Sequence, residues 1–307
     1  MKKREFTKSR IARIFLSLAV VVLSITSIFM WSAICSFEDN VLESFRPNDY
    51  GFSPKMQKIS SFSTDFSSSK EDRKHNIRLA SENFSWLVIK KGDTLSFNTI
   101  VGKRTEERGY KMSKVIVDGE YTQGVGGGVC QVSTTLYNAW IRGGLGTKYV
   151  RAHSLPASYC GLSQDATVSD YIDLILLNDS EYDVIVNGYV KDNKVYFDIY
   201  GNPLEYTIDI RSELIEKLIP PEPIIEEVEE YPSDFKGEIK TDAYGEYGIV
   251  KSEKTGYKSK AFMDYYDKEG NLIKSKELRK DNYLPTQGKI YRKIPKSMTL
   301  PYFPDVA

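Results

Sequence analysis

The sequence predicts an α+β fold: a mostly β domain around one central helix, preceded by a membrane-spanning helix and followed by a small β domain. Three observations support this prediction. Residues 14–37 contain no charged side chain. Residues 124–145 carry Val132, Leu136 and Trp140 at helical spacing. Elsewhere, short apolar runs are separated by turn residues, and helices do not alternate with strands as a doubly wound parallel sheet requires.

The N-terminal residues combine a basic tail with a long apolar segment. Residues 1–13 carry six basic side chains and one acidic side chain. As a helix, residues 14–37 would be about 36 Å long, enough to span a bilayer core. The basic tail favours a cytoplasmic N-terminus. We therefore expect a single-pass cell-membrane protein that contacts the lipid bilayer through residues 14–37 and has most of its chain outside the cytoplasm. A cleaved signal peptide is the alternative.

Changes in composition along the rest of the chain predict four further segments. Residues 38–59 are mixed and polar, which indicates a juxtamembrane spacer. Residues 60–203 form the predicted mostly β domain around the central helix. Residues 204–223 end in the letters IPPEP, a stiff linker candidate. Residues 224–307 alternate strand and turn signals and are predicted to be a small β domain with a loose tail.

The charge, cysteine and histidine counts limit the function. Lys and Arg together number 42, as do Asp and Glu, and no basic, aromatic-rich surface is indicated, so we expect no nucleic acid partner. The three cysteines give no disulfide framework, although Cys130 and Cys160 can pair if their Cα atoms lie within about 7 Å. Histidines and cysteines lack the spacing of zinc ligands, so we expect no metal and no cofactor.

The stretch of residues 124–145, GVGGGVCQVSTTLYNAWIRGGL, is the centre of the functional prediction. Its glycines predict a turn that places Cys130 in the first turn of a helix, where the helix N-terminus favours a thiolate. A cysteine at a helix start is also often only a small buried side chain. The candidate oxyanion and substrate residues in this stretch are Gly127, Gly128, Val129 and Gln131. A packing role for the glutamine is equally simple.

A histidine and a carboxylate downstream complete the candidate catalytic group. His153 lies in the segment RAHSLPASY, and Asp165 follows in QDATV. A cysteine, a histidine and a carboxylate supply a nucleophile, a base and an orienting group when the fold brings them together. We therefore predict Cys130, His153 and Asp165 as catalytic residues. Asp173 is the alternative orienting acid.

The region from about residue 73 to residue 201 resembles a VanW-type domain. The resemblance rests on six segments: RKHNIRLA at 73–80, LSFNTIVGKRTEERGY at 95–110, GGGVCQVSTTLYNA at 126–139, RAHS at 151–154, QDATV at 164–168 and YIDLILLN at 171–178. The cysteine-containing segment is the most specific of them. Residues 224–307 resemble the G5 module, an extracellular β domain that often accompanies VanW domains.

The resemblance implies a cell-wall function. VanW-type domains are linked to glycopeptide-resistance gene clusters, and some members act as cysteine L,D-transpeptidases, which build 3→3 cross-links between peptidoglycan stem peptides. By this resemblance, Cys130 attacks a donor stem peptide. Arg104 and Arg108 then shape the site or receive a substrate carboxylate, although a solvated loop explains both arginines equally well. The alternative is a non-catalytic peptidoglycan-binding or glycopeptide-resistance accessory protein.

Overall fold

Strands dominate the fold. The computed structural model describes residues 51–117 and 120–294, and 45% of them lie in strands and 14% in helices. The predicted α+β class is therefore wrong, because the described residues are mostly β and contain few helical residues. Within the described ranges, no helix is long and apolar enough to cross a membrane. The predicted membrane-spanning segment, residues 14–37, lies outside them.

The helices are few and the strands are numerous in the described part of the chain. The helices are α1 (Glu71–Glu82), α2 (Phe97–Val101), a 3₁₀ turn (Glu106–Arg108) and α3 (Val129–Arg142). The strands are β1 (Gln57–Asp65), β2 (Leu87–Ile89), β3 (Thr94–Ser96), β4 (Met112–Val117), β5 (Glu120–Val125), β6 (Gly146–Tyr149), β7 (Ile175–Leu177), β8 (Val184–Lys191), β9 (Lys194–Gly201), β10 (Thr207–Leu218), β11 (Ile224–Val228), β12 (Ile239–Asp242), β13 (Gly245–Lys251), β14 (Gly256–Tyr266), β15 (Leu272–Tyr283) and β16 (Lys289–Lys293).

These strands pair into small, mainly antiparallel sheets. The strand orders are β1-β9-β8-β2, β3-β7-β6, β4-β5, β10-β14-β15 and β11-β16-β13-β12. The pair β11–β16 is parallel. Between β8 and β9, Asp192 and Asn193 take φ values of 50° and 57°, as a two-residue hairpin turn requires. Asp and Asn are residue types that such a turn favours.

Helix α3 lies in the middle of the core. Leu136, Ala139 and Trp140 are fully buried, and the helix packs against β1, β9, β10 and α1. The helix ends at two glycines, because Gly143 is the C-cap residue and Gly144 takes a φ of +75°, which favours glycine. The helix is therefore buried, with strands and α1 packed around it.

The chain after residue 200 joins the same core. Ser53 onward belongs to one structural unit. Ile208 of β10 and Ala261 and Met263 of β14 belong to the hydrophobic cluster that contains α3. Residues 207–218, which include most of the predicted linker, form β10 and pair along their length with β14. The sheet β10-β14-β15 thus packs directly on the central helix, and the predicted domain boundaries stay predictions.

Candidate active site

A turn of glycines fixes the start of α3. Gly128 is the N-cap residue, with φ of 113°, a conformation that favours glycine. A Cβ on Gly127 would lie 2.6 Å from the carbonyl oxygen of Lys114, so this glycine packs directly on the backbone of β4. Asn76 of α1 donates a hydrogen bond to Gly127 O at 3.0 Å. The turn is therefore clamped between β4 and α1, which holds Cys130 in the first turn of α3.

Cys130 is the half-buried residue at this helix start, while the residues on either side of it are buried. As a thiol, its Sγ donates to Val168 O at 3.2 Å, and it lies close enough to His153 for each group to shift the pKa of the other. Cys130 and Cys160 are both free thiols, so the disulfide considered from the sequence does not form. The Cys130 sulfur therefore combines partial exposure with an imidazole neighbour.

His153 and Asp165 form a buried pair beside the sulfur. Their side chains are 5% and 1% exposed. The backbone N–H and the ring Nδ1 of His153 each lie 2.6 Å from Asp165 Oδ2. An ionised carboxylate only accepts hydrogen bonds, so Nδ1 carries a proton and Nε2 is left for Cys130. The structure therefore brings the three predicted catalytic residues together.

These groups shift one another's pKa. Burial raises the pKa of the Cys130 thiol, but the hydrogen bond and positive charge of His153 and the charge of Arg104 outweigh burial, so the pKa lies below its usual value. Burial lowers the pKa of His153, but Asp165 and Cys130 outweigh it and raise the pKa to about 10. Burial, with the charge of Asp165, raises the pKa of Cys160 to about 12. Cys130 and His153 thus favour a thiolate–imidazolium pair, whereas Cys160 stays a thiol.

A polar stripe on α3 holds the segment that carries Asp165. Four of its side chains hydrogen-bond that segment's backbone: Asn138 to Gln164 O at 2.7 Å, Thr134 to Ala166 N at 3.0 Å, Ser133 to Ala166 O at 2.6 Å, and Cys130 to Val168 O. Four residues of a helix rise about 6 Å, and two residues of an extended segment span about 6.6 Å. Side chains four residues apart on α3 therefore lie opposite alternate residues of the extended segment. Ser133 and Thr134 are both fully buried, so their polar side chains meet backbone groups rather than solvent.

Gln131 and Val129, two of the candidate oxyanion residues, have structural partners. Gln131 is 2% exposed. Its Oε1 accepts from Arg73 at 2.9 Å, and its Nε2 donates to Thr64 Oγ1 at 3.0 Å. The N–H of Val129 donates to Gly126 O at 3.2 Å. Gln131 therefore ties α3 to α1 and β1, which is the packing role considered from the sequence.

Asp173, the alternative orienting acid, lies elsewhere in the fold. It accepts hydrogen bonds from Ser96 Oγ at 2.6 Å and from the N–H of Asn98 at 2.9 Å. These contacts fix the start of α2, where a carboxylate favourably meets the unpaired N–H groups of the helix. Asp165, rather than Asp173, is the carboxylate that contacts His153.

The two candidate arginines occupy different surroundings. The Arg104 side chain is 10% exposed and forms an ion pair with Asp170 at 3.5 Å, and its charge acts on the Cys130 thiol. Arg108 instead donates to Lys103 O at 3.1 Å at an exposed position. The structure therefore places Arg104, but not Arg108, where it acts electrostatically on the sulfur.

Strand β15 brings residues to Asp165 that sequence reasoning missed. Tyr283 OH donates to Asp165 Oδ1 at 2.6 Å and accepts from the N–H of Ser163 at 2.8 Å. Arg279 Nη1 donates to Asp165 O at 2.9 Å. Tyr283 lies 118 residues after Asp165 in the chain, so no local pattern indicates the contact. The sequence offers a single indication, which is that Arg279 and Tyr283 lie on the same face of β15, because alternate residues of a strand share a face.

Tyr159 is a further neighbour of the sulfur that the sequence analysis missed. Burial, together with the charges of Cys130 and Cys160, raises its pKa well above the usual value. Its hydroxyl therefore stays protonated. The residue lies in the segment RAHSLPASY, where no spacing singles it out.

Comparisons with known proteins identify relatives of the central region. The profile of a family described as VanW like protein matches residues 72–200. An uncharacterized protein, YoaR of Bacillus subtilis (strain 168), is 43% identical over 113 residues, which cover 37% of this chain and 37% of that protein. The vancomycin B-type resistance protein VanW of Enterococcus faecalis (strain ATCC 700802 / V583) is 27% identical over 139 residues, which cover 43% of this chain and 50% of that protein.

Each of these matches covers only part of the two proteins that are compared. The chain spans half or less of the length of these two relatives. Among solved structures, the crystal structure of HP0197-G5 shows 17% identity and a TM-score of 0.16, and covers 29% of this chain and 99% of that one. A TM-score this low does not establish a shared fold, so the G5-like module stays a prediction. The family profile and the two relatives agree on the central region, and residues 72–200 of this chain are a VanW-like domain.

Proposed function

We propose that this protein is a cysteine L,D-transpeptidase that forms 3→3 cross-links between peptidoglycan stem peptides outside the cytoplasm. The observation that carries the proposal is a half-buried Cys130 thiol within reach of His153, whose ring is held by buried Asp165. Similarity of the domain to a vancomycin resistance protein supports a role at the cell wall. The proposed location rests on the charge distribution of residues 1–43.

The first step is acylation of the thiolate. Cys130 Sγ attacks the carbonyl carbon of the third residue of a donor stem peptide, and the partial positive charge at the N-terminus of α3 stabilises the developing oxyanion. The bond between that carbon and the nitrogen of the terminal D-alanine then breaks. The imidazolium of His153 gives its Nε2 proton to this nitrogen, so free D-alanine leaves and a thioester and a neutral imidazole remain.

The second step transfers the acyl group. A side-chain amine from the third residue of a neighbouring stem attacks the thioester carbon, and the carbon–sulfur bond breaks. His153 Nε2 takes the proton that the amine loses, so the new amide forms and the thiolate–imidazolium pair is restored. Asp165 stays ionised throughout, because its task is to hold the imidazole in one tautomer and orientation.

The proposal is tested by muropeptide analysis in a host that lacks 3→3 cross-links. The wild-type chain, Cys130→Ala and Cys160→Ala are expressed at equal levels, and the products are identified by mass spectrometry. We expect 3→3 dimers with the wild type and with Cys160→Ala, and none with Cys130→Ala. The Cys160 variant is the matched control, because it removes the other described free thiol without touching the reactive pair.

Two results would contradict the proposal. If Cys130→Ala still yields 3→3 dimers, the thiol is not the nucleophile, and the domain acts as a binding or accessory module. If the wild type yields only shortened stems, the acyl-enzyme is resolved by water, and the protein is a hydrolase rather than a transferase.

A further inference from the structure

We infer that β15 is a positioning element of this site and that Tyr283 holds the Asp165 carboxylate in the orientation that keeps His153 charged and facing Cys130. The inference rests on the proposed function for its purpose, whereas its test needs no turnover. It concerns a strand beyond residue 200, outside the VanW-like domain.

The direction of the hydrogen bond to the carboxylate is fixed by its surroundings. The N–H of Ser163 donates to Tyr283 OH at 2.8 Å, so one acceptor position of the phenol is occupied. The phenol's own proton then bridges the 2.6 Å to Asp165 Oδ1, because an ionised carboxylate only accepts. Tyr283 and Asp165 are each 1% exposed, so water does not compete for this contact.

The two carboxylate oxygens therefore have separate, fixed donors. Oδ2 accepts from the backbone and ring of His153, and Oδ1 accepts from Tyr283. With both ends held, the carboxylate cannot rotate about its Cβ–Cγ bond away from the ring. Burial and the negative charge of Asp165 raise the pKa of Tyr283, so the phenol keeps the proton that it donates.

A second contact from the same strand holds the backbone of Asp165. Arg279 Nη1 donates to Asp165 O at 2.9 Å, and Asp281 fixes the guanidinium through two hydrogen bonds of 2.7 and 2.8 Å. Residues 279, 281 and 283 alternate along β15 and so share one face, whereas Lys280 and Asn282 between them are exposed. One face of β15 therefore carries three residues that together hold Asp165 at its side chain and its main chain.

The deciding experiment is the pH dependence of Cys130 alkylation in the full chain. Iodoacetamide labelling is followed by mass spectrometry in the wild type, Tyr283→Phe and Asn282→Ala. The phenylalanine keeps the ring and removes only the hydroxyl, and the Asn282 variant changes the opposite face of the same strand. We expect the Cys130 midpoint to move up by about one pH unit in Tyr283→Phe, roughly a tenfold loss of thiolate below the midpoint. Asn282→Ala should match the wild type.

The expected direction of the shift in the Cys130 midpoint follows from the freedom of the Asp165 carboxylate to rotate. Without the phenol, Asp165 can turn away from Nδ1, the imidazolium loses stabilisation, and the thiolate loses its counter-ion. The pKa of His153, measured by NMR of labelled histidine, should therefore fall in Tyr283→Phe. A purely structural role would lower the thermal midpoint of unfolding and leave both titrations unchanged.

An unchanged or lower Cys130 midpoint in folded Tyr283→Phe would overturn the inference. Arg279→Lys is the second variant, used if Tyr283→Phe does not fold, since a lysine keeps the charge but cannot pair with Asp281 through two parallel bonds; the same upward shift is expected. Because alkylation requires no cross-linking, absence of 3→3 products in the wild type would end the proposed function and leave this inference to be decided by the titrations.

Discussion

At the residue scale, the two free thiols of the described chain differ in their charged neighbours. Cys130 has the imidazolium of His153 beside it, and its pKa lies below the usual value. Cys160 is half-buried, and the desolvation of its thiol, together with the negative charge of Asp165, raises its pKa to about 12. Since the thiolate is the nucleophile, one cysteine is prepared for reaction and the other is not.

This contrast predicts selective alkylation. In the wild type, iodoacetamide should label Cys130 with a midpoint below about 8.5, the value of an unperturbed cysteine, and leave Cys160 unlabelled at neutral pH. In His153→Ala the Cys130 midpoint should rise above that value, because only the charge of Arg104 then offsets the effect of burial. The measurement is peptide mass spectrometry across a pH series. Equal labelling of both cysteines at neutral pH would contradict the assigned environments.

A second prediction at this scale concerns the pH profile of turnover. The active form is the thiolate with a protonated imidazole, so activity requires a pH above the Cys130 pKa and below the His153 pKa, which is about 10. D-alanine release should therefore rise with pH, pass through a plateau and fall with a midpoint near that value, because a neutral imidazole cannot protonate the leaving amine. Release that keeps rising beyond it would show that His153 is not the acid.

At the scale of the element, the polar stripe of α3, which is Cys130, Ser133, Thr134 and Asn138, joins the helix to the segment that carries Asp165. A polar group buried without a partner is costly, and the contacts of Ser133, Thr134 and Asn138 remove such a cost on both sides. The helix therefore sets the position of the Asp165 carboxylate through its neighbours along the chain.

Replacing one member of the stripe should destabilise the fold. Thr134→Val keeps the shape of the side chain but leaves the N–H of Ala166 without its acceptor. We expect the free energy of unfolding to fall by about 1–3 kcal/mol, measured by urea denaturation. The matched control is Thr122→Val at an exposed position on β5, for which we expect a change within about 0.5 kcal/mol. Equal effects of both changes would show that the stripe contributes nothing specific.

The same element shows what the sequence could predict. The glycines, Cys130 and Gly143 mark the start and end of α3 because turn and cap conformations depend on local residues. The burial of Ser133 and Thr134 was not predictable, because their hydrogen-bond partners, the carbonyl oxygen and the N–H of Ala166, are supplied by a distant segment. Polar residues at helical spacing indicate a solvent-exposed helix face only when no other segment of the chain packs against that face.

At the scale of the whole molecule, the VanW-like domain does not contain all of its own core. Strand β1, residues 57–65, precedes it and pairs along β9. The sheet β10-β14-β15 follows it and supplies Ile208 and Ala261 to the hydrophobic cluster around α3. Tyr283 reaches the active site from the same sheet. The mutual dependence of these segments could not be derived from the sequence, because strand pairing over such distances leaves no local signal.

This dependence predicts that residues 72–200 do not fold as an independent unit. A fragment of that range loses β1, so β9 becomes an unpaired edge, and it loses the strands that cover the other side of α3. Residues 53–294 keep both. We expect the longer fragment to unfold in one cooperative transition by circular dichroism and calorimetry, and the shorter one to show no such transition and to aggregate. Mutation of Cys130 to Ala in the longer fragment is the control for oxidation. A cooperative transition of the shorter fragment at the same midpoint would show that the VanW-like domain carries its own core.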